Sequence, residues 1–463
     1  MKKGAKIALI VGLGGVALCG IGGFVLYGLS GIGPESAALP KVYAESEAMG
    51  LPLTASDLSK GAPTTPNRYA ELEPLIKDLK SLSGGADAWL PGADPESAQV
   101  RTEFAASRKE TEALVAWIGR HDHFRAQYDF TKGTYVMFPE QAYTKNPVKL
   151  MAALAAAQAR EGNSRAAQTT LRAAVKLTRE MTAHPTLIHG LVRLACHAII
   201  DRSTLTLMEI DRRNAAAYAR AASDGVEYDP AFHLRGEVYF LAWTARNLSP
   251  QEIADLANPD TMEEQAAAAT NRTFIDGGMP TNPVSRSMMA AGLRTWNRVY
   301  ATADESGRFP DWQHTLDALQ AEAQRLERSR RVPDQLMNVL FPVFEQAFDA
   351  FKRGRASQQL TAALGRVMSF RDRNGRWPRS LQDAGVQPIP DPNAPGQFAK
   401  YRADAAGVSI WVSGLDGDDD GGVVESSSSG TRDGDYAVGY PLKRIGLPLV
   451  PRSRPQGGPP GGP

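Results

Sequence analysis

From Tyr69 to Arg371 apolar residues recur at intervals of three and four, the spacing of helices with one buried face. The pattern predicts helices over 68–82, 97–120, 147–161, 164–183, 186–209, 214–223, 230–246, 250–257, 283–302, 310–330, 333–352 and 356–373. Two regions depart from it. Near the start, apolar residues run without interruption. Near the end, the period drops to two, with Val408, Ile410 and Val412 alternating with Ser409, Trp411 and Ser413 as in a strand. The chain therefore reads as mainly α with a small α+β module at its C-terminal side.

The clearest helical unit spans Val148 to Met181. Leu150, Leu154 and Ala157 form one stripe, Glu161-Gly162-Asn163 ends the helix, and Ser164 is placed to cap the next. That second helix carries Ala167, Leu171, Ala174, Val175 and Leu177 on one face. Small residues on facing stripes suit a tight antiparallel pair, which resembles a tetratricopeptide hairpin. No second copy follows at the ~34-residue period of such repeats. An irregular helical bundle or a short TPR-like solenoid is expected over 67–354.

After Lys2, Lys3 and Lys6 no charged residue occurs until Glu35. This exceeds the ~20 apolar residues that cross a bilayer, so 7–29 is expected to be a transmembrane anchor. Lysines on its short side hold the N-terminus in the cytoplasm by the positive-inside rule. The rest of the chain is then periplasmic or otherwise extracytoplasmic, in a single-pass protein of the bacterial inner membrane. A cleaved signal peptide has a shorter apolar core, and a lipidated cysteine at Cys19 would follow a small residue rather than Leu18. Gly12-Leu13-Gly14-Gly15-Val16-Ala17 imitates a dinucleotide loop, but the chain stays apolar through Leu26 where that fold needs a polar-faced helix. Gly23-Phe24 imitates a prepilin junction, with the apolar stretch on the wrong side of it. Gly4, Ala8, Gly12, Gly15, Cys19 and Gly23 line one helix stripe, where Gly15, Cys19 and Gly23 would permit self-association. Residues 30–66, rich in proline, are expected to be a linker with one short helix at 42–49.

The C-terminal module is expected over 355–440, followed by a Pro/Gly-rich disordered tail over 441–463. Its helix, Ala356 to about Arg371, leads into Asn374-Gly375-Arg376-Trp377-Pro378-Arg379-Ser380-Leu381, then Asp391-Pro392 and a strand near 398–403. A turn at Asp404–Gly407, the alternating strand and the loop from Ser413 to Gly422 complete it. This order resembles the C-terminal domain of the major pseudopilins of type II secretion. With a helical region behind an anchor, it also looks like a group of membrane-anchored envelope proteins from planctomycete-like bacteria. In pseudopilins the anchor runs directly into this domain, whereas more than 300 residues intervene here.

The resemblance implies Ca²⁺ in the loop after the strands. Independently, Asp416, Asp418, Asp420 and Gly421 reproduce positions 1, 3, 5 and 6 of a calcium loop. Position 12 would be Ser427, so a closing carboxylate has to come from Asp433 or Asp435. A solvated acidic turn is the plain alternative.

Composition narrows function mainly by exclusion. The 52 basic and 51 acidic residues give a net charge of +1, with no basic run to bind nucleic acid. The seven histidines, 121, 123, 184, 189, 197, 233 and 314, form no His-Glu-x-x-His motif, and neither a Gly-x-Ser-x-Gly nor a Walker loop occurs. They are expected to be structural or on the surface. The expected function is interaction or scaffolding in the cell envelope, with no catalytic or cofactor residues identified. The alternatives are a metal-dependent hydrolase using the acidic loop and a helical-repeat adaptor that binds peptides.

Overall fold

The computed structural model describes residues 32–59, 67–82, 98–224, 228–249, 252, 272–414, 417–424 and 434–445. Their helices are α1 (Ile32–Ala48), α2 (Ala55–Leu58), α3 (Tyr69–Leu82), α4 (Ala98–Arg120), α5 (Lys145–Arg160), α6 (Ser164–Met181), α7 (Leu187–Ile210), α8 (Ala215–Ser223), α9 (Pro230–Asn247), α10 (Pro283–Tyr300), α11 (Trp312–Arg328) and α12 (Val332–Asn374). Strands β1 (Lys400–Asp404), β2 (Gly407–Val412) and β3 (Tyr436–Tyr440) form one antiparallel sheet in that order. The protein is mainly helical with a small sheet.

Periodicity located most helices to within a few residues, because buried faces recur at helical spacing and caps end them. In the α5–α6 hairpin, Gly162 takes a left-handed φ of 78° at the turn. The cap is Asn163, which accepts from Ala166 N, rather than the expected Ser164. Ser164 Oγ instead donates to Asp211 Oδ2 at 2.5 Å, tying the hairpin to the end of α7.

Three apolar clusters share α7. It is apolar nearly all round, so neighbours enclose it. Cys196, Ile200 and Leu207 pack with α3–α6 and α8. Leu187 and Leu194 pack with α1, α9, α10, α11 and the first half of α12. Leu205 and Met208 join the second half of α12 and the sheet. Register pairs Ile410 with Tyr401 on one side and Val438 on the other.

Several expectations need correction. Helices expected over 333–352 and 356–373 are one helix, α12. The expected linker over 30–66 contains the 17-residue α1, whose Leu39 and Val42 are buried against α10. Of its prolines, Pro34 lies in the first turn of α1 and Pro40 inside the helix. Strand β3 was not anticipated. Residues 441–445, expected to belong to the disordered tail, are packed instead, with Leu442 and Ile445 apolar and buried against the sheet.

Other expectations lie outside the described residues: the anchor at 7–29 with its Gly15, Cys19 and Gly23 stripe, almost all of the helix at 250–257, and the chain beyond 445. Among the described residues no helix is long and apolar enough to cross a membrane.

Candidate functional site

Although apolar and polar residues alternate along β2, all six of its residues are buried. Val408, Ile410 and Val412 face α12 in the third cluster. The other face carries Trp411, and the acidic loop folds over it. Gly422, at a φ of 80°, lies so close to the indole that a Cβ would meet it at 2.9 Å. Arg402 stacks on the same ring at 5.6 Å.

Asp419, which the calcium-loop spacing skipped, anchors this lid. Its carboxylate accepts from Trp411 Nε1 at 2.7 Å and Gly421 N at 3.1 Å, and pairs with Lys400 Nζ at 2.7 Å. Lys400 and the indole N–H hold it below the usual carboxylate range. Asp391 latches the other end of the loop. It accepts from Ser413 N at 2.8 Å, Asn393 N at 2.9 Å and Ala394 N at 3.1 Å.

Of the expected metal residues, Asp416 and Asp433 lie outside the described residues, while Asp418 and Asp420 are exposed on the lid. Asp435 is different. It is 1% exposed at the start of β3 and accepts from Gly422 N at 2.8 Å through Oδ2, while Oδ1 has no partner. Burial pushes it up to about 6 against the Gly422 N–H, and the negative charges of Asp419 and Asp420 push the same way. An orphaned buried oxygen in a field of carboxylates suits a cation. Of the three described candidates only Asp435 offers a buried, unpaired carboxylate oxygen; Asp418 and Asp420 lie in solvent. Among the described residues no three His, Cys, Asp or Glu side chains already converge as a metal site.

A second constellation lies in the helical body. His189, Arg193, His197 and Asp201 succeed one another at four-residue steps along α7, a stripe that a search for catalytic histidine motifs does not pick out. At its N-terminal end, the Tyr128 hydroxyl donates to Glu140 and lies 3.2 Å from His189 Nε2. His189 Nδ1 bonds Thr186 Oγ1 at 2.5 Å, and the His184 ring sits 4.6 Å from Tyr128. His233 Nδ1 donates to the His184 carbonyl at 3.1 Å. At the other end, Ser357 of α12 donates to Asp201 at 3.1 Å, and Tyr228 stacks edge-on with His197 at 5.6 Å.

Burial drives this seam toward its neutral forms. His184 falls to about 4, His197 and His233 to about 3, and His189 well below its ordinary value. Burial raises Asp201 and Glu237 to about 7. Among these, His189, His233, Asp201 and Glu237 hydrogen-bond neighbouring elements, whereas Nε2 of His184, His197 and His233 is buried without a partner. His121 caps α4 outside the seam, bonding the Trp117 carbonyl at 2.8 Å and stacking on its ring.

No family model, curated protein or solved structure matches this chain.

Proposed function

We infer that the chain is a single-pass envelope protein that presents one stiff scaffold outside the inner membrane, with its pseudopilin-like module as an interaction head. The supporting observation is the joint between body and module. The 43-residue α12 belongs to both, and Leu205, Met208, Ala215 and Ala219 of the body share a core with Val408 and Ile410 of the sheet. Glu209 of α7 also accepts from Leu442 N at 3.2 Å. A head built into its stalk transmits orientation, which suits assembly better than flexible tethering.

The topology is tested by protease treatment of intact spheroplasts, with immunodetection of fragments cut at the exposed 417–420 turn. Cleavage from outside is expected; protection until lysis would remove the topology. Crosslinking in intact cells followed by identification of adducts tests the scaffold role, which predicts envelope proteins joined to the module.

Calcium belongs to the same reading, as the ion that fastens the lid through Asp435. The full-length protein in detergent should melt higher with Ca²⁺ than with a chelator. Asp435→Asn keeps the Gly422 bond and should erase the difference. Because a ligating carboxylate must be deprotonated, the calcium effect should be present above about pH 6 and fade as pH falls through it. Equal melting with and without calcium at neutral pH would reject the ion.

A further inference from the structure

Helix directions place several termini at one end of the body. Helices α1 and α10 run parallel: Arg286 Nη2 donates to the Ser36 carbonyl at 3.2 Å near their starts, and Asn297 Nδ2 donates to the Val42 carbonyl at 3.3 Å further along. Helix α9 runs antiparallel to α10, with Gly292 against Leu241 and Tyr300 Oη donating to the Ala231 carbonyl at 2.7 Å. Arg331, just before α12, reaches Glu35 at 2.5 Å. The starts of α1, α10 and α12 and the ends of α9 and α11 therefore share one end.

The segment 272–282 crosses this end and is pinned from beneath. Asn247 brackets Ile275, accepting from its N–H at 2.7 Å and donating to its carbonyl at 3.0 Å. Asp276 accepts from Ala55 N at 2.8 Å, and Arg246 donates to the Gly278 carbonyl at 2.7 Å. Arg286 ties the Pro280 carbonyl at 3.3 Å to the Ser36 carbonyl at 3.2 Å. Despite this fastening, Ile275 is 64% and Met279 42% exposed. The fixed backbone thus presents two large apolar side chains, four residues apart, that an apolar surface could cover.

Chain length identifies that surface. Four helical steps from Ser36 to Ile32 and three further residues to Leu29 cover at most ~17 Å. If 7–29 spans the bilayer, the headgroups lie within that reach of Ser36 and of the segment tied to it. The local charge is suitable. Arg286 is engaged in fastening the segment, but Arg328 and Arg330 are exposed. The starts of three long helices add positive dipole ends.

We propose that this end of the body rests on the outer surface of the bilayer, with Ile275 and Met279 entering the headgroup layer and Arg328 and Arg330 meeting anionic lipid phosphates. The partner is a phospholipid surface, and the inference rests on the anchor reading above. It fixes the tilt of the scaffold and directs the sheet module away from the point of membrane attachment.

The test uses full-length protein reconstituted into phosphatidylcholine–phosphatidylglycerol vesicles. An environment-sensitive fluorophore is attached at Ile275→Cys, Met279→Cys or Met49→Cys in a Cys19→Ser background, where the remaining Cys196 is buried. Met49 follows the last residue of α1 at the opposite end and is similarly exposed at 45%. Nitroxide-labelled lipid should quench positions 275 and 279 several-fold more than 49, and Arg328→Ala with Arg330→Ala should reduce that excess. Vesicle flotation separates the two ways to fail. Protein that floats while 275 and 279 are quenched no more than 49 overturns the docking and leaves the anchor. Protein that does not float overturns both.

Discussion

Buried carboxylates are treated in opposite ways by the helical body and the C-terminal module. In the body, Asp201 sits on a helix whose backbone donors are already spent on the helix, and it receives only the Ser357 hydroxyl. Burial then favours its neutral form. In the module, Asp391 and Asp435 lie beside irregular chain with unspent N–H groups, and those groups are what they bind. Inside the body an acid such as Asp201 is a side-chain partner, and Glu237 reaches a backbone N–H only at the open start of α7, that of Leu187 at 3.1 Å; the module uses its acids to replace missing backbone pairing.

The sharpest way to break this comparison is Asp391→Ala. It would orphan three N–H groups, each costing about 1–3 kcal/mol when buried without a partner. A loss of roughly 3–5 kcal/mol is expected, read as a lower urea midpoint of the full-length protein in detergent, with early proteolysis at 413–424. If the midpoint hardly moves, the latch carries little of the lid.

A somewhat smaller effect comes from the joint. Met208 is buried where α7 meets α12 and the sheet. Met208→Ala should cost about 2–4 kcal/mol through the cavity it leaves. Unfolding should stay a single transition if body and module melt together. Two separated transitions in calorimetry of the wild type would show that the shared helix does not couple them.

Asp201 provides the pH counterpart. Its folded pKa, about 7, is raised above the unfolded value near 4, so its contribution is full below pH ~4 and is lost as pH rises toward ~7. The depressed histidines work the other way. Folding excludes their protons, so their contribution is present above about pH 6.5 and is lost as pH falls toward 3–4. Asp201→Asn keeps an acceptor for Ser357 and removes only the titration. Relative to wild type it should gain about 2–4 kcal/mol between pH ~4 and pH ~7. Urea midpoints at several pH values test this; a constant offset across the range would deny the buried acid.

The same contrast explains what could be read in the chain. Helices announce themselves because burial imposes a period of 3.6. Their continuity is harder to read. Arg353-Gly354-Arg355 looks like a break, but Gly354 lies inside α12 where a Cβ would meet Leu194 at 2.4 Å. Glycine there permits close approach between helices rather than a turn. Loops have no period at all. Spacing selected Asp416, Asp418 and Asp420 by analogy with a calcium loop, whereas the residue built into the lid is Asp419, chosen by the position of Trp411 one strand away. Tertiary partners of that kind leave no local trace. The α7 stripe did leave one, since four polar residues at steps of four in an apolar helix mark a shared buried face.

The smallest expected effect still tests the joint. Arg212 follows α7 and donates to Asp372 of α12 at 3.0 Å across the same boundary that Met208 fills. Both partners remain substantially wet, with side chains 37% and 28% exposed, so solvent screens the pair and ordering two side chains offsets much of the attraction. Arg212→Ala should therefore change stability by no more than about 0.5 kcal/mol, while Met208→Ala costs several times that. If raising the salt concentration or removing Arg212 weakened the protein as much as Met208→Ala does, the boundary would be held by charge. The rigidity inferred for the scaffold would then be conditional on ionic strength rather than on packing.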